Sequence, residues 1–553
     1  MKRLLLVALG IGIGVAALAQ YKPIQKHRNV MATQSSLAID NSIPGDKPAN
    51  IYVSNKSILV DAQVMMTNYD LETNGSMGQS RLVYYPDGSM SATATWSQDP
   101  GGTWPGRGTG YNYSANGTTW GTNPTARVEA LRAGWPSICP CGPTGECIVS
   151  HQSATASMLF NKRTTKGTGT WTQTLVPNPS GATGMLWPRI CSSGANHNTI
   201  HIIALTPPTG NGGTVYNGMD GALLYIKSTD GGATWGTWQQ LAGMTSAEYV
   251  AFSGDDYCWA NPRTDTICFS VSSAFMDTFI MKSTDAGATW TKTVVYASPY
   301  NLVGVNGNSA LRFYTSDNTS TVALDKHGKA HVSFGLMSDS ISGSTSYNYW
   351  PYTQGLVYWN ESMPSIQQDK MNPDTLDAHG QLVGWVQDTM IYYQGASALA
   401  YYRACSLTGM PSMTIDDNNY LFVTWTSPTV LMDPSSFMLR HIFGRTAQIG
   451  AGTDATWNDN IYDMNQDFLY NFSECVWPSM AMKSSATQYF FEFMADDLAG
   501  AFLNTAPGVA GQSSITDNFI TVMKVDKSSV GVGVNDQKKD VTPMMVSRNY
   551  PNP

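Results

Sequence analysis

The sequence predicts an all-β protein built from repeated, four-stranded antiparallel units. Gly (51 residues) and Trp (16) are plentiful while charged residues are only 13% of the chain, a profile typical of β-rich extracellular proteins. The nine residues Lys227–Trp235 return almost unchanged as Lys282–Trp290, 55 positions later. Successive intervals between Trp120, Trp171, Trp235 and Trp290 are 51, 64 and 55 residues, about what four strands and their turns need.

The repeated element has the pattern Ser-x-Asp-x-Gly-x-Thr-Trp, which predicts a turn between two strands. The Asp carboxylate accepts bonds from backbone N–H groups, and Gly supplies the positive φ that other residues resist. We therefore interpret its Asp residues as turn-formers and assign no catalytic residue. The structural turn residues are Ser228, Asp230, Gly232 and Trp235, then Ser283, Asp285, Gly287 and Trp290, and the less clear set Ser97, Asp99 and Trp104, for which Tyr113–Trp120 is an alternative.

This pattern resembles the Asp-box, or bacterial neuraminidase repeat, of sialidase-type β-propellers and their many non-enzymatic relatives. The resemblance implies a β-propeller, a closed ring of four-stranded antiparallel blades. Residues 79–526 then form seven blades, with an insertion near 361–408. Six or eight blades remain open, because the insertion could instead begin a further blade.

The elements follow in order along this ring. Blade one is strand, turn and strand over Arg81–Tyr85, Pro86–Gly88 and Ser91–Trp96. Blades two, three and seven each open with Trp-Pro, and blade four ends with the second copy of the repeated turn. The remaining markers are Trp135, Trp187 and Trp477 for the Trp-Pro openings, Tyr249 for blade four, Thr321–Phe334 for blade five, Pro411–Trp425 for blade six and Phe519–Val525 late in blade seven.

The two ends of the chain predict export. Residues 1–19 have a charged head, an apolar core and a small-residue cleavage site, the pattern of a signal peptide. Residues 20–78 form a leader whose Ser57–Met66 segment is a candidate closing strand. At the other end, 527–545 is a linker, and 546–553 with Asn549–Pro553 resembles the start of a type IX secretion sorting domain. We expect an extracellular or outer-surface protein handled by the type IX secretion machinery.

Eight cysteines in an exported chain favour disulfides over metal ligation. Cys258 could bridge to Cys268, and Cys141 to Cys147, because each pair brackets a short loop. We expect no metal site and no cofactor, although the acidic turns Asp325–Gly328 and Asp416–Asn419 carry the hard oxygens of a structural calcium site.

Two function classes remain. A net charge of −8 without a basic stripe argues against nucleic acid, and no later segment is apolar enough to span a membrane. The family resemblance implies a sialidase site of three arginines, a Tyr nucleophile with its Glu, and an Asp acid. The family's Arg-Ile-Pro motif is missing, since Leu follows Arg81 and Cys follows Arg189-Ile190. The other arginines do not lie in a sequence context recognisable from the family: Arg127, Arg132, Arg312, Arg403 and Arg440.

The favoured interpretation is a non-enzymatic propeller that binds extracellular glycan or protein, or assembles with its own copies. The alternative is a secreted sialidase-like exo-glycosidase. Three arginines and a Tyr–Glu pair converging on the centre would favour the enzyme, whereas a funnel of Ser, Thr and aromatic residues would favour binding.

Overall fold

The prediction of an all-β, seven-bladed propeller is confirmed. A computed structural model describes residues 59–73, 80–152, 155–254, 256–273, 275–302, 310–342, 346–400, 402, 405–450, 454–502 and 514–532. They form seven sheets, in which consecutive strands pair antiparallel. The first strand of each blade contacts the neighbouring blade around the ring, and blade 7 contacts blade 1.

The first half of the chain forms blades 1 to 4. Blade 1 contains β2 (Leu82–Tyr84), β3 (Met90–Trp96) and β4 (Gly108–Ser114). Blade 2 contains β5 (Gly134–Cys141), β6 (Gly145–Gln152), β7 (Ser157–Arg163) and β8 (Thr172–Val176). Blade 3 contains β9 (Leu186–Ser193), β10 (Thr199–Leu205) and β11 (Leu223–Ser228). Blade 4 contains β12 (Tyr257–Trp259), β13 (Ile267–Ser272), β14 (Thr278–Ser283) and β15 (Thr291–Ala297).

The second half forms blades 5 to 7. Blade 5 contains β16 (Ala310–Leu324), β17 (Ala330–Ser342), β18 (Ser346–Trp350), β19 (Leu356–Asn360) and β21 (Leu382–Gly384). Blade 6 contains β22 (Gly409–Ile415), β23 (Tyr420–Met432), β24 (Met438–Ile449), β25 (Ala455–Trp457) and β26 (Tyr462–Asp463). Blade 7 contains β27 (Glu474–Met480), β28 (Gln488–Asp496), β29 (Asn518–Asp526) and β1 (Leu59–Thr67).

Blade 7 joins the two ends of the described chain. Strand β1 pairs antiparallel with β29, with Leu59 opposite Val525 and Thr67 opposite Asn518. The N-terminal strand therefore covers an edge of the last sheet that would otherwise be exposed. The candidate closing segment Ser57–Met66 lies partly in this strand and partly outside the described residues.

The segment predicted as an insertion, 361–408, contains one strand of the blade 5 sheet and the connection to blade 6. Its short strand β20 (Ile366–Gln367) pairs parallel with β15 of blade 4, and β21 completes blade 5. Two short helices complete it, α1 (Pro373–Ala378) and α2 (Ile391–Gln394). Asn372 caps α1 by accepting a hydrogen bond from Thr375 N, and Pro373 occupies the first turn where its missing N–H costs nothing.

The Trp-Pro openings have a common backbone. Trp135, Trp187 and Trp477 have positive φ values of 54°, 50° and 53°, and Met410 before Pro411 has 54°. The register of β5, β22 and β27 slips at this point, which makes each opening a β-bulge. The bulge turns the following residues of the inner strand toward the neighbouring blade.

Serines after these bulges tie the inner strands together. Ser137 Oγ accepts a hydrogen bond from Ile190 N of the next blade at 3.1 Å. Ser412 Oγ likewise accepts from Met480 N at 2.8 Å, and Ser479 Oγ from Arg81 N at 3.3 Å. These bonds satisfy buried N–H groups that face away from each blade's own sheet. The Pro-Ser pairs of the sequence therefore link blade to blade.

No helix in the described part of the chain is long and apolar enough to cross a membrane. The predicted signal peptide and sorting segment lie outside the described residues.

Candidate functional site

The centre of the ring holds a buried cluster of charged and phenolic side chains, which we call the central cluster: Asp70, Glu72, Arg81, Arg189, Tyr402, Arg440, Glu474 and Glu492. Each has no more than 4% of its surface exposed. These residues come from blades 1, 3, 6 and 7 and from the segments that precede blades 1 and 6. Charged side chains are rarely this buried without a partner, so their contacts define the site.

Tyr402 and Glu474 form a pair within the central cluster. The Tyr402 hydroxyl donates to Glu474 Oε1 at 2.8 Å, and Arg440 N donates to Glu474 Oε2. Glu474 is the first residue of the inner strand β27, which fixes its position at the ring centre. The Tyr402 ring packs edge-on against Trp477, with 5.3 Å between ring centroids.

Arg81 lies between two carboxyl groups. Its Nε is 3.2 Å from Glu492 Oε1, and its Nη1 is 3.4 Å from Glu72 Oε2. Its Nη2 also donates to the Trp477 carbonyl at 2.8 Å. One guanidinium is therefore shared by two carboxyl groups. If both carboxyl groups ionise, the three groups together carry a net negative charge.

Burial controls the protonation of these acids. It raises the pKa of Glu72 from 4.5 to about 7, although Arg81 opposes the shift. It raises the pKa of Glu492 to about 8, again against Arg81, and that of Glu474 to about 7 against hydrogen bonds from Arg440. Burial also raises the pKa of Asp70, and the charge of Glu474 adds to that effect. Near neutral pH the cluster therefore contains protonated acids beside ionised ones.

Charged groups across the cluster alter one another's pKa. The charges of Glu474 and Glu72 raise the pKa of Asp70, and the charges of Arg81 and Arg189 lower the pKa of Glu72. Arg440 completes the Glu474 side, where its guanidinium donates to Ser406 O at 3.0 Å. A change of charge at one member alters the protonation of the next.

Two oxygens of the cluster lack partners. Glu72 Oε1 and Glu492 Oε2 are buried and accept no hydrogen bond from the described residues. An unpaired buried carboxyl oxygen costs free energy that a bound hydroxyl would recover. These two oxygens are therefore acceptors without a partner among the described residues, on acids that keep a proton near neutral pH.

Sequence reasoning found only some of these groups. It singled out Arg81, Arg189 and Arg440 as arginines without a family context, and it missed the acids. The available signal was an acid inside an apolar strand, as in Glu474 before Cys475-Val476-Trp477. No local pattern could have paired Glu474 with Tyr402, 72 residues earlier.

The two near-identical repeats form the same hydrogen-bonded turn. Asp230 accepts from Thr234 N at 2.9 Å, and Asp285 from Thr289 N at 2.8 Å. Ser228 Oγ accepts from Gly232 N, and Ser283 Oγ from Gly287 N, both at 2.8 Å. Both turns follow the third strand of their blade, and neither Asp belongs to the central cluster.

The turn tryptophans pack at matching positions. Trp235 contacts Phe160 of the preceding blade at 5.2 Å between centroids, and Trp290 contacts Tyr225 at 4.9 Å. Trp171 contacts Tyr111 in the same way at 5.4 Å. Each turn therefore joins its blade to the one before it.

In blade 1 the structure favours the alternative turn, Tyr113–Trp120, although Asp99 also forms a turn in which its Oδ1 accepts from Gly101 N at 3.0 Å. Ser97, Asp99 and Trp104 lie between β3 and β4, the second and third strands, rather than after the third. The turn after the third strand is Ser114–Trp120, where Asn116 Oδ1 accepts from Thr119 N at 2.8 Å. Asn can replace Asp there because the turn uses an acceptor oxygen rather than a charge.

The predicted cysteine pairs are not formed. All eight cysteines are buried free thiols in the structure. Cys258 lies opposite Ser270, not Cys268, and Cys147 lies opposite Cys139, not Cys141. The sulfur atoms of Cys139 and Cys147 are 3.5 Å apart. Strand register, rather than the loop between two cysteines, decides which thiols face each other.

No three His, Cys, Asp or Glu side chains form a group that could hold a metal ion within the described ranges. In the two acidic turns the carboxylates accept hydrogen bonds from backbone N–H groups. Asp325 Oδ1 accepts from His327 N at 2.8 Å, and Asp416 Oδ1 accepts from Asn418 N at 2.9 Å.

Comparison with known proteins adds little beyond the fold. No protein-family model and no curated protein matches the chain. Among solved structures, the chain is similar to an α-L-arabinanase of Penicillium chrysogenum complexed with arabinobiose, at 11% identity and a TM-score of 0.34, over 71% of this chain and 93% of that one. It is also similar to a GH93 α-L-arabinofuranosidase of Fusarium graminearum (11%, TM-score 0.36, 72% and 94%).

A third similar structure is the sialidase of Trypanosoma rangeli. The identity is 11% and the TM-score 0.33, over 84% of this chain and 59% of that chain. Similarity at this level says nothing of substrate or activity.

Proposed function

We propose that the protein is a glycoside hydrolase whose central cluster carries the reaction. The supporting observation is the hydrogen bond of 2.8 Å between the Tyr402 hydroxyl and Glu474 Oε1, together with Asp70, whose pKa burial raises and whose charge interacts with both residues. A nucleophile with an adjacent base and a nearby protonated acid is the minimum for cleavage with a covalent intermediate.

In this proposal Tyr402 is the nucleophile and Glu474 its base. Burial, together with the charge of Glu474, raises the pKa of Tyr402 well above its usual value, so the phenol does not ionise unaided. Glu474 takes the phenol proton as the phenol oxygen bonds to the anomeric carbon. The bond to the leaving oxygen breaks, and that oxygen takes a proton from Asp70 or Glu72. Water then cleaves the glycosyl–enzyme bond with the proton transfers reversed.

The arginine contacts favour a neutral sugar over a sialoside. Arg81 is engaged by Glu72, Glu492 and a carbonyl, and Arg440 donates to a carbonyl. A carboxylate substrate would compete with these protein acceptors for the same guanidinium groups. A neutral glycoside needs only hydroxyl bonds, such as those that Glu72 Oε1 and Glu492 Oε2 could accept.

The test is hydrolysis of 4-methylumbelliferyl glycosides, a neutral panel and a sialoside, by the purified protein. We expect turnover of a neutral glycoside and a loss of kcat of roughly 1000-fold or more in Tyr402→Phe and Glu474→Gln. Tyr393→Phe is the matched control, because Tyr393 is 82% exposed. No turnover, or equal turnover in Tyr402→Phe with its thermal midpoint retained, refutes the proposal.

A glycan-binding propeller is the second candidate. The unpaired carboxyl oxygens of Glu72 and Glu492 favour it. It is also favoured because both carboxyl oxygens of Glu474 already accept hydrogen bonds from the protein. A glycan array with the protein and with Glu492→Gln tests it. Binding that Glu492→Gln weakens, without turnover of the bound glycan, supports a binding protein and excludes the hydrolase.

We also infer that the protein acts outside the cell. The inference rests on the signal-peptide pattern of residues 1–19 and the sorting motif at Asn549–Pro553. Detection of the mature chain in culture medium or on intact cells tests it, and retention of the uncleaved chain inside cells refutes it.

A further inference from the structure

A cavity lies where the inner strands end, and we call it the turn-end cavity. Its volume is about 370 Å³, and inner strands or the turns that follow them contribute to its wall from six blades. Glu474 begins the inner strand β27 and Met482 follows its end, so the mouth lies roughly 25 Å from Glu474 along an extended strand. The cavity therefore lies well away from the Tyr402–Glu474 pair.

The cavity has an apolar wall of Leu82, Val83, Ile138 and Met482. Its size is that of a small-ligand site, and polar side chains from several blades surround this apolar wall. This composition suits a compact apolar body with one polar end.

The charges of the wall are almost all paired. Asp416 is neutralised by Lys527, with Nζ 2.6 Å from Oδ2, and Asp417 by Arg263, with Nη1 2.7 Å from Oδ1. Within the part of the chain that the structure describes, no carboxylate pairs with Lys483. The cavity therefore has one uncompensated positive charge.

His197 lines the same cavity as Lys483. Burial lowers the pKa of His197, and the Lys483 charge lowers it further. Its Nδ1 is 3.0 Å from Ser192 Oγ. A neutral imidazole, a hydroxyl and an ammonium group together form a set that suits one carboxylate.

We propose that the turn-end cavity binds a small monocarboxylate, with its carboxylate at Lys483 and His197 and its apolar body against the Leu82 and Ile138 wall. A dicarboxylate is disfavoured because the other cation of the wall, Arg263, is already paired with Asp417. The site would work independently of hydrolysis at the central cluster.

The test is isothermal titration of the full protein with hexanoate and phenylacetate, and with the neutral hexanamide and phenylacetamide. We expect saturable binding of the acids and binding of the amides at least about tenfold weaker, since an ionised hydrogen bond is lost. Equal affinity for acid and amide, or no saturable binding of either acid, overturns the proposal.

Two variants locate the site. Lys483→Gln should weaken acid binding at least about tenfold. Lys370→Gln is its matched control, because Lys370 is an exposed lysine outside the cavity wall. Ala486→Trp, a substitution at an exposed wall position, should abolish binding by filling the mouth. Acid binding that survives either Lys483→Gln or Ala486→Trp at full affinity refutes the assignment, whereas Tyr402→Phe should leave it unchanged.

Discussion

Gly232 lies against the ring of Phe160 in the preceding blade, so close that a Cβ added to it would come within 2.3 Å of Phe160 Cε1. Its φ is 79°, which L side chains rarely adopt. The Gly of the repeated turn therefore has two functions, to form the turn and to admit an aromatic ring from the neighbouring blade.

This relationship predicts the effect of Gly232→Ala. We expect it to lower the free energy of unfolding by about 2–5 kcal/mol, because backbone strain adds to overpacking against Phe160. Gly142→Ala is the control, since Gly142 has φ 70° and no atom within 4 Å of an added Cβ. Urea unfolding of both variants measures the difference, and equal losses would show that the ring contact contributes nothing.

The serine links between inner strands predict a second effect. Ser412→Ala should lower the free energy of unfolding by about 1–3 kcal/mol, because Met480 N would be left buried without an acceptor. Ser435→Ala, on an exposed turn, should change it little. Thermal unfolding of the two variants measures this, and a Ser412→Ala midpoint equal to that of Ser435→Ala contradicts the role assigned to the link.

The acids of the central cluster predict a pH dependence. Burial raises the pKa of Glu492 from 4.5 to about 8, so the folded state binds a proton that the unfolded state has released. Stability from this group is full below pH 4.5 and is lost as the pH rises toward 8. Glu72 and Glu474, with pKa values of about 7, act in the same direction.

Glu492→Gln should therefore flatten the decline in stability between pH 5 and 8. The free energy of unfolding of Glu492→Gln minus that of the parent should increase by on the order of 3 kcal/mol from pH 5 to pH 8. Glu248→Gln should follow the parent slope, because hydrogen bonds from Thr245 lower the Glu248 pKa and the group stays ionised throughout. Urea unfolding at four pH values tests this, and parallel curves for Glu492→Gln and the parent would refute it.

Lys527 ties the end of the described chain to blade 6. Its ammonium lies 2.6 Å from Asp416 Oδ2 and 4.8 Å from the centre of the Tyr489 ring. Lys527→Met should cost about 3–5 kcal/mol, because Asp416 would remain buried without its partner. Lys370→Met, at an exposed ion pair, should cost less than about 1 kcal/mol. Equal urea unfolding midpoints for Lys527→Met and Lys370→Met would contradict the predicted stabilisation by the Lys527–Asp416 ion pair.

The sequence predicted the parts of the fold that depend on neighbouring residues. The turn at Asp230 and its copy at Asp285 are defined within nine residues, and their spacing indicated blades of four strands. The same reasoning left two candidates for the blade 1 turn, at Asp99 and at Tyr113–Trp120, and the strand order favours the second, where Asn116 supplies the acceptor oxygen. It paired cysteines across short loops, whereas the register between β5 and β6 faces Cys147 toward Cys139.

The sequence by itself determined an all-β chain of repeated, turn-punctuated sheets, because turn chemistry and strand alternation act between residues close along the chain. Only the tertiary structure decided what the centre contains. Ring closure brings Arg81 within 3.2 Å of Glu492, residues 411 positions apart, and burial there moves acid pKa values toward neutrality. Proximity and burial are properties of the closed ring, and no segment of the sequence carries either alone.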